Sequence, residues 1–200
     1  MPLFTLEHSP KAYRIDFALY GLISLGMAAA LLLASPAGQG PMLAAWALGG
    51  VAAWSPVEYL LHRYVLHGLA PFSRWHDEHH RRPTALIGSP TGLSLTLFAT
   101  LVAAPAWCVL GPWPACALTF GLLTGYLAYG LLHHATHHAV PGFMRRSAWL
   151  ARRRRWHAQH HQAHLVRQGG RLAAPMGMAA GHYGVSSALW DHAFGTAGSD

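Results

Sequence analysis

Two long stretches of the chain contain no charged residue, and they restrict the fold more than any other feature of the sequence. The first runs from Phe17 to Val57 and the second from Pro83 to Met144. Proline and glycine divide each stretch into two apolar segments of roughly 18–20 residues, about the length that a helix needs to cross a hydrocarbon core. Core helices of a soluble protein would need a polar face, and these segments have almost none.

We therefore predict an all-α integral membrane protein with four transmembrane helices in two hairpins. The predicted spans are residues 17–34, 42–61, 91–110 and 115–132. The remainder, residues 62–84 and 133–200, is predicted to form a histidine-rich helical cap on the cytoplasmic side. Residues 1–200 are expected to form a single domain, since this length suits one and nothing in the sequence indicates a second.

The positions of lysine and arginine predict the orientation in the membrane. The two hairpin turns contain none of these 14 residues, which all lie in the N-terminal segment and in residues 62–82 and 145–171. Because basic loops stay on the cytoplasmic side of a bacterial inner membrane, both termini and the middle loop are predicted to be cytoplasmic. The formal net charge of +7 is therefore attributed to contact with a membrane surface and not with nucleic acid.

Sixteen residues are histidine, and one histidine phrase occurs twice. Residues 75–80 and 156–161 both have the form Trp-His-x-x-His-His. Histidines at i, i+3 and i+4 project from one face of an α-helix, so each copy predicts three imidazoles pointing the same way. A bias toward histidine on this scale is typical of metal binding.

Two further pairs complete the histidine pattern. His133 and His137 are four residues apart, whereas His62 and His67 are five apart, a spacing that predicts two side chains pointing apart and toward different metals. Imidazole is a ligand of iron, zinc and copper, and ten imidazoles suit two ions with five or six ligands each. The predicted ligands are His62, His67, His76, His79, His80, His133, His137, His157, His160 and His161.

Several neighbouring residues are candidates for orienting the ligands, namely Glu58, Asp77, His134, His138 and His182. The two carboxylates are predicted to accept an imidazole N–H, although Glu58 would serve equally as an interfacial carboxylate at the end of a membrane helix. The role of the three histidines is left open. We assign no catalytic side chain apart from the metal site, and three other histidines are predicted to be surface or helix-end residues: His8, His164 and His192.

The order of these clusters resembles the membrane fatty acid hydroxylase / sterol desaturase superfamily. The phrase EYLLHRYVLH at residues 58–67 is followed by HxxHH, HxxxH and a second HxxHH, and residues 184–196, GVSSALWDHAFGT, resemble the C-terminal phrase of the family. The match covers about residues 54–196 and is nearest to the fatty acid and sphingolipid 2-hydroxylases. It implies a non-haem di-iron centre held by the ten cluster histidines, in which zinc often replaces iron in recombinant preparations.

The same resemblance implies an enzyme that hydroxylates a lipid acyl chain with O₂ and an external electron donor. Because no fused haem domain is recognised before the apolar segments, electrons are expected from a separate protein, a ferredoxin or a b-type cytochrome with its reductase. Two alternatives stay open. One is a carotenoid or sterol-type hydroxylase or desaturase, and the other is a membrane metal-binding protein without oxygen chemistry, for which the apolar segments offer few polar residues.

Three features depart from the pattern of the 2-hydroxylases. Tyr129-Gly130 precedes the third cluster where those enzymes usually have Tyr-Asp, and His134 occupies a position that is commonly tyrosine. The segment 162–183 is longer than the resemblance leads us to expect, and its glycine- and alanine-rich part predicts a loop or a cover over the substrate tunnel.

Overall fold

The structure, a computed structural model, describes residues 6–169 and 181–198. Within these ranges the regular secondary structure is helical, beside one isolated β-bridge between Glu7 and Ile87. The helices are α1 (Pro10–Leu33), α2 (Gly40–Leu60), α3 (Phe72–Arg81), α4 (Thr91–Leu97), α5 (Ala104–Leu110), α6 (Pro112–His137), α7 (Gly142–Arg145), α8 (Ala148–Gly169) and α9 (Leu189–Ala193). Two segments are π-helical, π1 (Leu61–Leu66) and π2 (Phe98–Ala103). The prediction of an all-α chain is confirmed.

Three helical stretches of the described chain are long and apolar enough to cross a membrane. They are Pro10–Leu33, Thr91–Leu110 and Pro112–His137, and they contain nearly all of the first span and the whole of the third and fourth predicted spans. The second predicted span forms α2, but this helix is not among the three. Its mean hydropathy is lowered by glycine, proline and tryptophan and by Glu58 near its end.

Local sequence signals explain where the membrane-length helices begin and end. The side-chain oxygen of Ser9 accepts a hydrogen bond from the Ala12 amide at 3.2 Å, and Pro10 occupies the first position of α1. Both are typical of a helix start. Gly111 separates α5 from α6 with φ of 81°, a left-handed conformation that glycine adopts without a steric penalty. The Gly-Pro-Trp-Pro break in the second charge-free stretch is therefore a sharp turn between two helices.

The first of two compact units contains Met1–Trp54 and Leu86–Leu127. Its helices approach most closely at glycine, since a Cβ atom on Gly121 would lie 2.9 Å from the Gly50 Cα atom. A buried hydrogen bond of 2.5 Å joins the hydroxyls of Tyr20 and Ser94, which lie on α1 and α4. Large apolar side chains on the outside of this unit, among them Leu33 and Val109, are more than 80% exposed, as expected of helices that face lipid.

The second compact unit contains Ser55–Ala85 and Ala128–Asp200, and with them all four histidine clusters. Helices α2 and α6 each contribute residues to both units. Helix α8 continues past His161 to Gly169, so the first part of the segment 162–183 is helical. Residues 170–180, which include most of the glycine- and alanine-rich part predicted as a loop or cover, lie outside the described residues.

Candidate metal centre

Ten histidines of the second unit form two groups, and in each group five ring nitrogens lie within 4.8 Å of one another. The first group consists of His62, His67, His76, His80 and His160. The second group consists of His79, His133, His137, His157 and His161. The structure thus brings together all ten histidines that the sequence predicts as ligands, in two sets of equal size.

The spacing of the ring nitrogens suits ligands of a common ion. In the first group the Nε2 atoms of His62 and His76 are 3.0 Å apart, and those of His76 and His80 are 3.1 Å apart. In the second group the Nε2 atoms of His137 and His157 are 2.8 Å apart. Two nitrogens that are each about 2.1 Å from one metal, at right angles to each other, are about 3.0 Å apart. These distances fit adjacent positions in a five- or six-coordinate shell.

The repeated histidine phrase divides its three imidazoles between the two groups. On α3, His76 and His80 belong to the first group and His79 to the second. On α8 the assignment is reversed, because His157 and His161 belong to the second group and His160 to the first. Residues at i and i+4 lie nearly above one another on a helix, whereas i+3 is displaced to the side. Each helix therefore lies beside both groups and contributes histidines to each of them.

The pair His62 and His67 belongs to a single group, which corrects the prediction that the two point toward different metals. The reason is that α2 widens into the π-helical segment π1, where the His67 amide donates to the His62 carbonyl at 3.2 Å. In a π-helix the hydrogen bond joins residues five apart. The spacing of five, which would separate two side chains on an α-helix, aligns them here.

Seven of the ten imidazoles are buried, and in four of these seven burial favours the neutral form. Burial, reinforced by the neighbouring imidazoles, lowers the pKa of His76, His79, His157 and His160 well below the ordinary value. A neutral imidazole offers a lone pair to a metal without first losing a proton. The Nε2 atoms of His79 and His133 are buried and have no hydrogen-bond partner among the described residues, so these polar atoms fit the coordination of a metal ion.

Backbone carbonyls fix the orientation of two imidazoles in the first group. The Nδ1 atom of His62 lies 2.5 Å from the Tyr183 carbonyl oxygen, and the Nδ1 atom of His160 lies 3.1 Å from the Gly181 carbonyl oxygen. Since a carbonyl only accepts, each Nδ1 carries the proton and each Nε2 presents its lone pair to the group. The segment just before the closing phrase of the sequence thus determines the tautomer of two candidate ligands.

Glu58 contacts the backbone of the closing segment and not an imidazole, unlike the predicted arrangement. Its Oε1 atom accepts from the amides of Val185 at 2.6 Å and Ser186 at 2.9 Å, and its Oε2 atom accepts from the Ser186 hydroxyl. Glu58 thereby fixes the segment that follows the Tyr183 carbonyl. Asp77 lies half-buried on α3.

The other histidines lie outside both groups where their side chains are described. His134 and His138 stack on each other with ring centroids 4.2 Å apart. His182 stacks on Trp156 at 4.8 Å, and its Nε2 atom accepts from the Gly198 amide at 3.2 Å. His8 and His192 belong to neither group, as predicted, and the side chain of His164 is outside the described part of the chain.

Asp191 is the main residue that the sequence reasoning missed. Its side chain is completely buried and accepts three hydrogen bonds, from the amides of Tyr183 and Gly184 and from the Thr196 hydroxyl, each 2.8 Å long. The Trp-Asp-His phrase that contains Asp191 was noted as part of a family resemblance but carried no expected role. A carboxylate in a largely apolar phrase near the end of the histidine domain was the available signal.

Comparison with a family model and with individual known proteins gives the fatty acid hydroxylase family in each case. A family model described as fatty acid hydroxylase matches residues 47–196. A dihydroceramide fatty acyl 2-hydroxylase of Arabidopsis thaliana is 29% identical in an alignment of 162 positions that covers 74% of this chain and 58% of that protein. Human fatty acid 2-hydroxylase is 26% identical in an alignment of 159 positions that covers 74% of this chain and 38% of the human protein. The chain therefore spans about two fifths to three fifths of these relatives.

A solved structure has a similar fold. Full-length scs7p, of which only the hydroxylase domain is visible, aligns with a TM-score of 0.70 at 23% sequence identity. The alignment covers 97% of this chain and 68% of that chain. It includes the membrane-length helices and the helices that carry the histidines.

Proposed function

Because the chain belongs to the fatty acid hydroxylase family, we propose that it is a membrane di-iron oxygenase that hydroxylates a lipid acyl chain. The observation that carries this proposal is the convergence of ten histidines into two groups of five. Relatives named as fatty acid and dihydroceramide fatty acyl 2-hydroxylases support a fatty acyl substrate that is hydroxylated beside its carbonyl carbon.

We propose that each histidine group binds one iron ion, with zinc as a replacement in recombinant preparations. The all-nitrogen donor sets and their neutral, buried state support a transition metal in both groups. When bound, the two ions would supply the activation of O₂. Backbone carbonyls hold His62 and His160 in one tautomer, and the burial of most of the ten rings excludes water from the centre.

The proposed reaction inserts one oxygen atom into a C–H bond. In balance, the acyl chain R–H, one O₂, two electrons and two protons give R–OH and one water. The two electrons come from a separate electron-transfer protein, a ferredoxin or a b-type cytochrome with its reductase. A lipid substrate suits the chain because exposed leucines on the membrane-length helices would border the bilayer from which an acyl chain enters.

We further propose that α2 is a fourth membrane span and that residues 1–200 form one hydroxylase domain. For a bacterial inner membrane, which we propose as the location, the distribution of lysine and arginine supports an orientation with both termini and the metal centre on the cytoplasmic side. Labelling of single cysteines placed in the turn at residues 35–40 and in the loop at residues 82–88 would test this topology. Labelling of both positions from the same side of the membrane would contradict it.

Lipid mass spectrometry of expressing cells tests the proposed reaction. The variant His160→Ala/His161→Ala removes one candidate ligand from each group, and His192→Ala removes an exposed histidine that belongs to neither. Wild type and His192→Ala are expected to add one oxygen atom to acyl chains, and the double variant is not. A loss of two hydrogens would indicate a desaturase, and no change in acyl lipids despite bound metal would overturn the acyl proposal.

A further inference from the structure

One peptide group connects a candidate metal ligand to a buried carboxylate. The carbonyl of Tyr183 accepts from the Nδ1 atom of His62 at 2.5 Å. The amide of the same peptide unit, which is the N–H of Gly184, donates to the Oδ2 atom of Asp191 at 2.8 Å. A negative charge on the amide side of a peptide polarises it and makes its carbonyl oxygen a stronger acceptor. The His62 imidazole therefore experiences the Asp191 charge through the peptide.

We propose that Asp191 is a positioning residue that strengthens metal binding by the first histidine group through the Tyr183–Gly184 peptide. Metal-binding histidines commonly donate their second N–H directly to a carboxylate, which raises the basicity of the ligand. Here the peptide unit takes the place of direct contact. This inference rests on the proposed metal-binding function of the two groups.

Glycine at position 184 permits the backbone to lie close to the Asp191 carboxylate. A Cβ atom on Gly184 would collide with the Ser187 carbonyl oxygen and would lie 2.9 Å from the Oδ2 atom of Asp191, so the tight turn of the chain beside the carboxylate requires glycine. The second oxygen of Asp191 is engaged separately, by the Tyr183 amide and the Thr196 hydroxyl. Both oxygens are therefore held, and the carboxylate has a fixed orientation toward the peptide.

A directional chain of hydrogen bonds links the buried carboxylate to a buried cation. Arg63 donates to the Tyr59 hydroxyl at 2.6 Å, and the hydroxyls of Tyr59 and Thr196 are 3.0 Å apart. Because Thr196 donates its only hydroxyl proton to Asp191, Tyr59 must donate to Thr196. The Asp191 charge is thus balanced across two hydroxyls, which lets it remain in a buried position beside the centre.

The second ligand with a carbonyl partner is also connected to residue 191. His160 donates to the Gly181 carbonyl, and the amide of that peptide unit, His182 N–H, donates to the Thr196 carbonyl at 3.0 Å. The next amide, Ala197 N–H, donates to the Asp191 carbonyl at 3.1 Å. In the second group, by contrast, the Nδ1 atoms of His79 and His157 have no hydrogen-bond partner within the described ranges. Among the described residues, the backbone carbonyls connected to residue 191 therefore orient imidazoles of the first group, namely His62 and His160.

The test is a metal competition on the full chain in detergent, loaded with cobalt(II) and titrated with a chelator. Asp191→Asn keeps the shape of the side chain but turns an amide N–H toward either the Gly184 amide or the Tyr183 amide. We expect the first group to lose about 10- to 100-fold in cobalt affinity, the usual effect of removing such an outer contact. The second group should keep the wild-type affinity, so one cobalt per chain remains where wild type retains two.

Two references and one control make the result specific to the first group. The absorption spectrum of the remaining cobalt should match that of His62→Ala and differ from that of His137→Ala. Glu78→Gln removes a carboxylate from α3 that pairs at the surface with Arg81 and Arg82, and it should retain two cobalt ions. Loss of cobalt from Glu78→Gln equal to that from Asp191→Asn would overturn the proposal, because net charge would then explain the effect.

A second variant covers the case in which Asp191→Asn does not fold. Asp191→Glu keeps the charge but displaces it, and we expect a smaller loss that is again confined to the first group. For either variant, unchanged affinity in both groups, or equal loss from both, would overturn the proposal. Lipid hydroxylation by the wild-type iron protein is a separate measurement: its absence would contradict the proposed function and leave the cobalt result intact.

Discussion

The imidazole rings of His80 and His161 are stacked, with centroids 4.1 Å apart and an angle of 24° between their planes, although each belongs to a different histidine group. Both occupy the last position of the repeated phrase, one on α3 and one on α8. Helices α3 and α8 thus both contribute to the two groups. Helix α3 provides two histidines to the first group and one to the second, and helix α8 provides one to the first and two to the second.

Because the sequence neighbours His79 and His80 belong to different groups, we predict that their substitution affects different metal sites. His79→Ala and His161→Ala should weaken metal binding in the second group, whereas His80→Ala and His160→Ala should weaken it in the first. Cobalt spectra of the four single variants would check this assignment, because variants of one group should share a spectrum. If His79→Ala resembled its neighbour His80→Ala, the assignment would be wrong.

Acidification should destabilise the metal-free protein. The folded-state pKa values of His76, His79, His157 and His160 are lowered by burial, whereas histidine in the unfolded chain titrates near about 6.5. Protons therefore bind the unfolded state first as the pH falls. We expect a constant melting temperature above about pH 7 and a progressive decrease below about pH 6.5.

Bound metal should raise the melting temperature at each pH and leave the onset of the decrease near about pH 6.5, because the folded-state imidazoles are neutral in both forms and the protons bind the unfolded chain. Melting curves of apo and metal-loaded protein from pH 8 to pH 5 would provide the comparison. A melting temperature of the apo protein that rises on acidification would contradict the lowered pKa values.

Substitution at Gly68 should disturb the first histidine group through π1. A Cβ atom on Gly68 would collide with the Tyr64 carbonyl, because the chain turns tightly where π1 ends. Gly68→Ala should displace His67, reduce cobalt affinity in the first group and cost about 1–3 kcal/mol of unfolding free energy. Gly92→Ala is the control, since nothing lies within 4 Å of its added Cβ atom. Equal behaviour of the two variants would argue against a constrained π1.

Two adjacent glycines of α2 should respond in opposite ways to the same change. A Cβ atom on Gly50 would lie 2.9 Å from the Leu122 amide nitrogen, whereas one on Gly49 would meet nothing within 4 Å. Gly50→Ala should therefore force α2 away from α6 and destabilise the protein by about 1–3 kcal/mol. Gly49→Ala should be neutral or slightly stabilising, because alanine favours helix. Thermal unfolding in detergent would distinguish the two.

Residue spacing placed eight of the ten histidines on common helix faces, because i, i+3 and i+4 on an α-helix are neighbours whatever the tertiary structure, but it did not distinguish His133 and His137 from His134 and His138, which have the same spacing. The division of the ten histidines into groups was not predictable, since it depends on how α3 and α8 face each other. His62 and His67 were misassigned because no residue type in π1 distinguishes a π-helix from an α-helix. Local pattern thus predicts which histidines share a helix face but not how they are divided between the two groups.

The contacts around Asp191 were beyond sequence reasoning for a different reason. The acceptors for His62 and His160 are backbone carbonyls, which every residue possesses, so the identity of Tyr183 or Gly181 gives no signal. The contact between Glu58 and Val185 joins residues 127 apart in sequence, and it exists only after the chain has closed on itself. Long-range backbone contacts of this kind produce no periodic pattern of residue types in the sequence, so a sequence pattern cannot predict them.

The position of the Tyr183–Asp191 contacts in the chain has a consequence for biosynthesis. All ten histidines have been synthesised once residue 161 is added, but the carbonyls that set the tautomers of His62 and His160 follow at residues 183 and 181, and their anchor at residue 191. During translation there is thus an interval in which the imidazoles exist without these partners. A metal captured in that interval would meet a first group in which His62 and His160 lack their carbonyl partners, so the finished site forms only when residues 181–191 are in place.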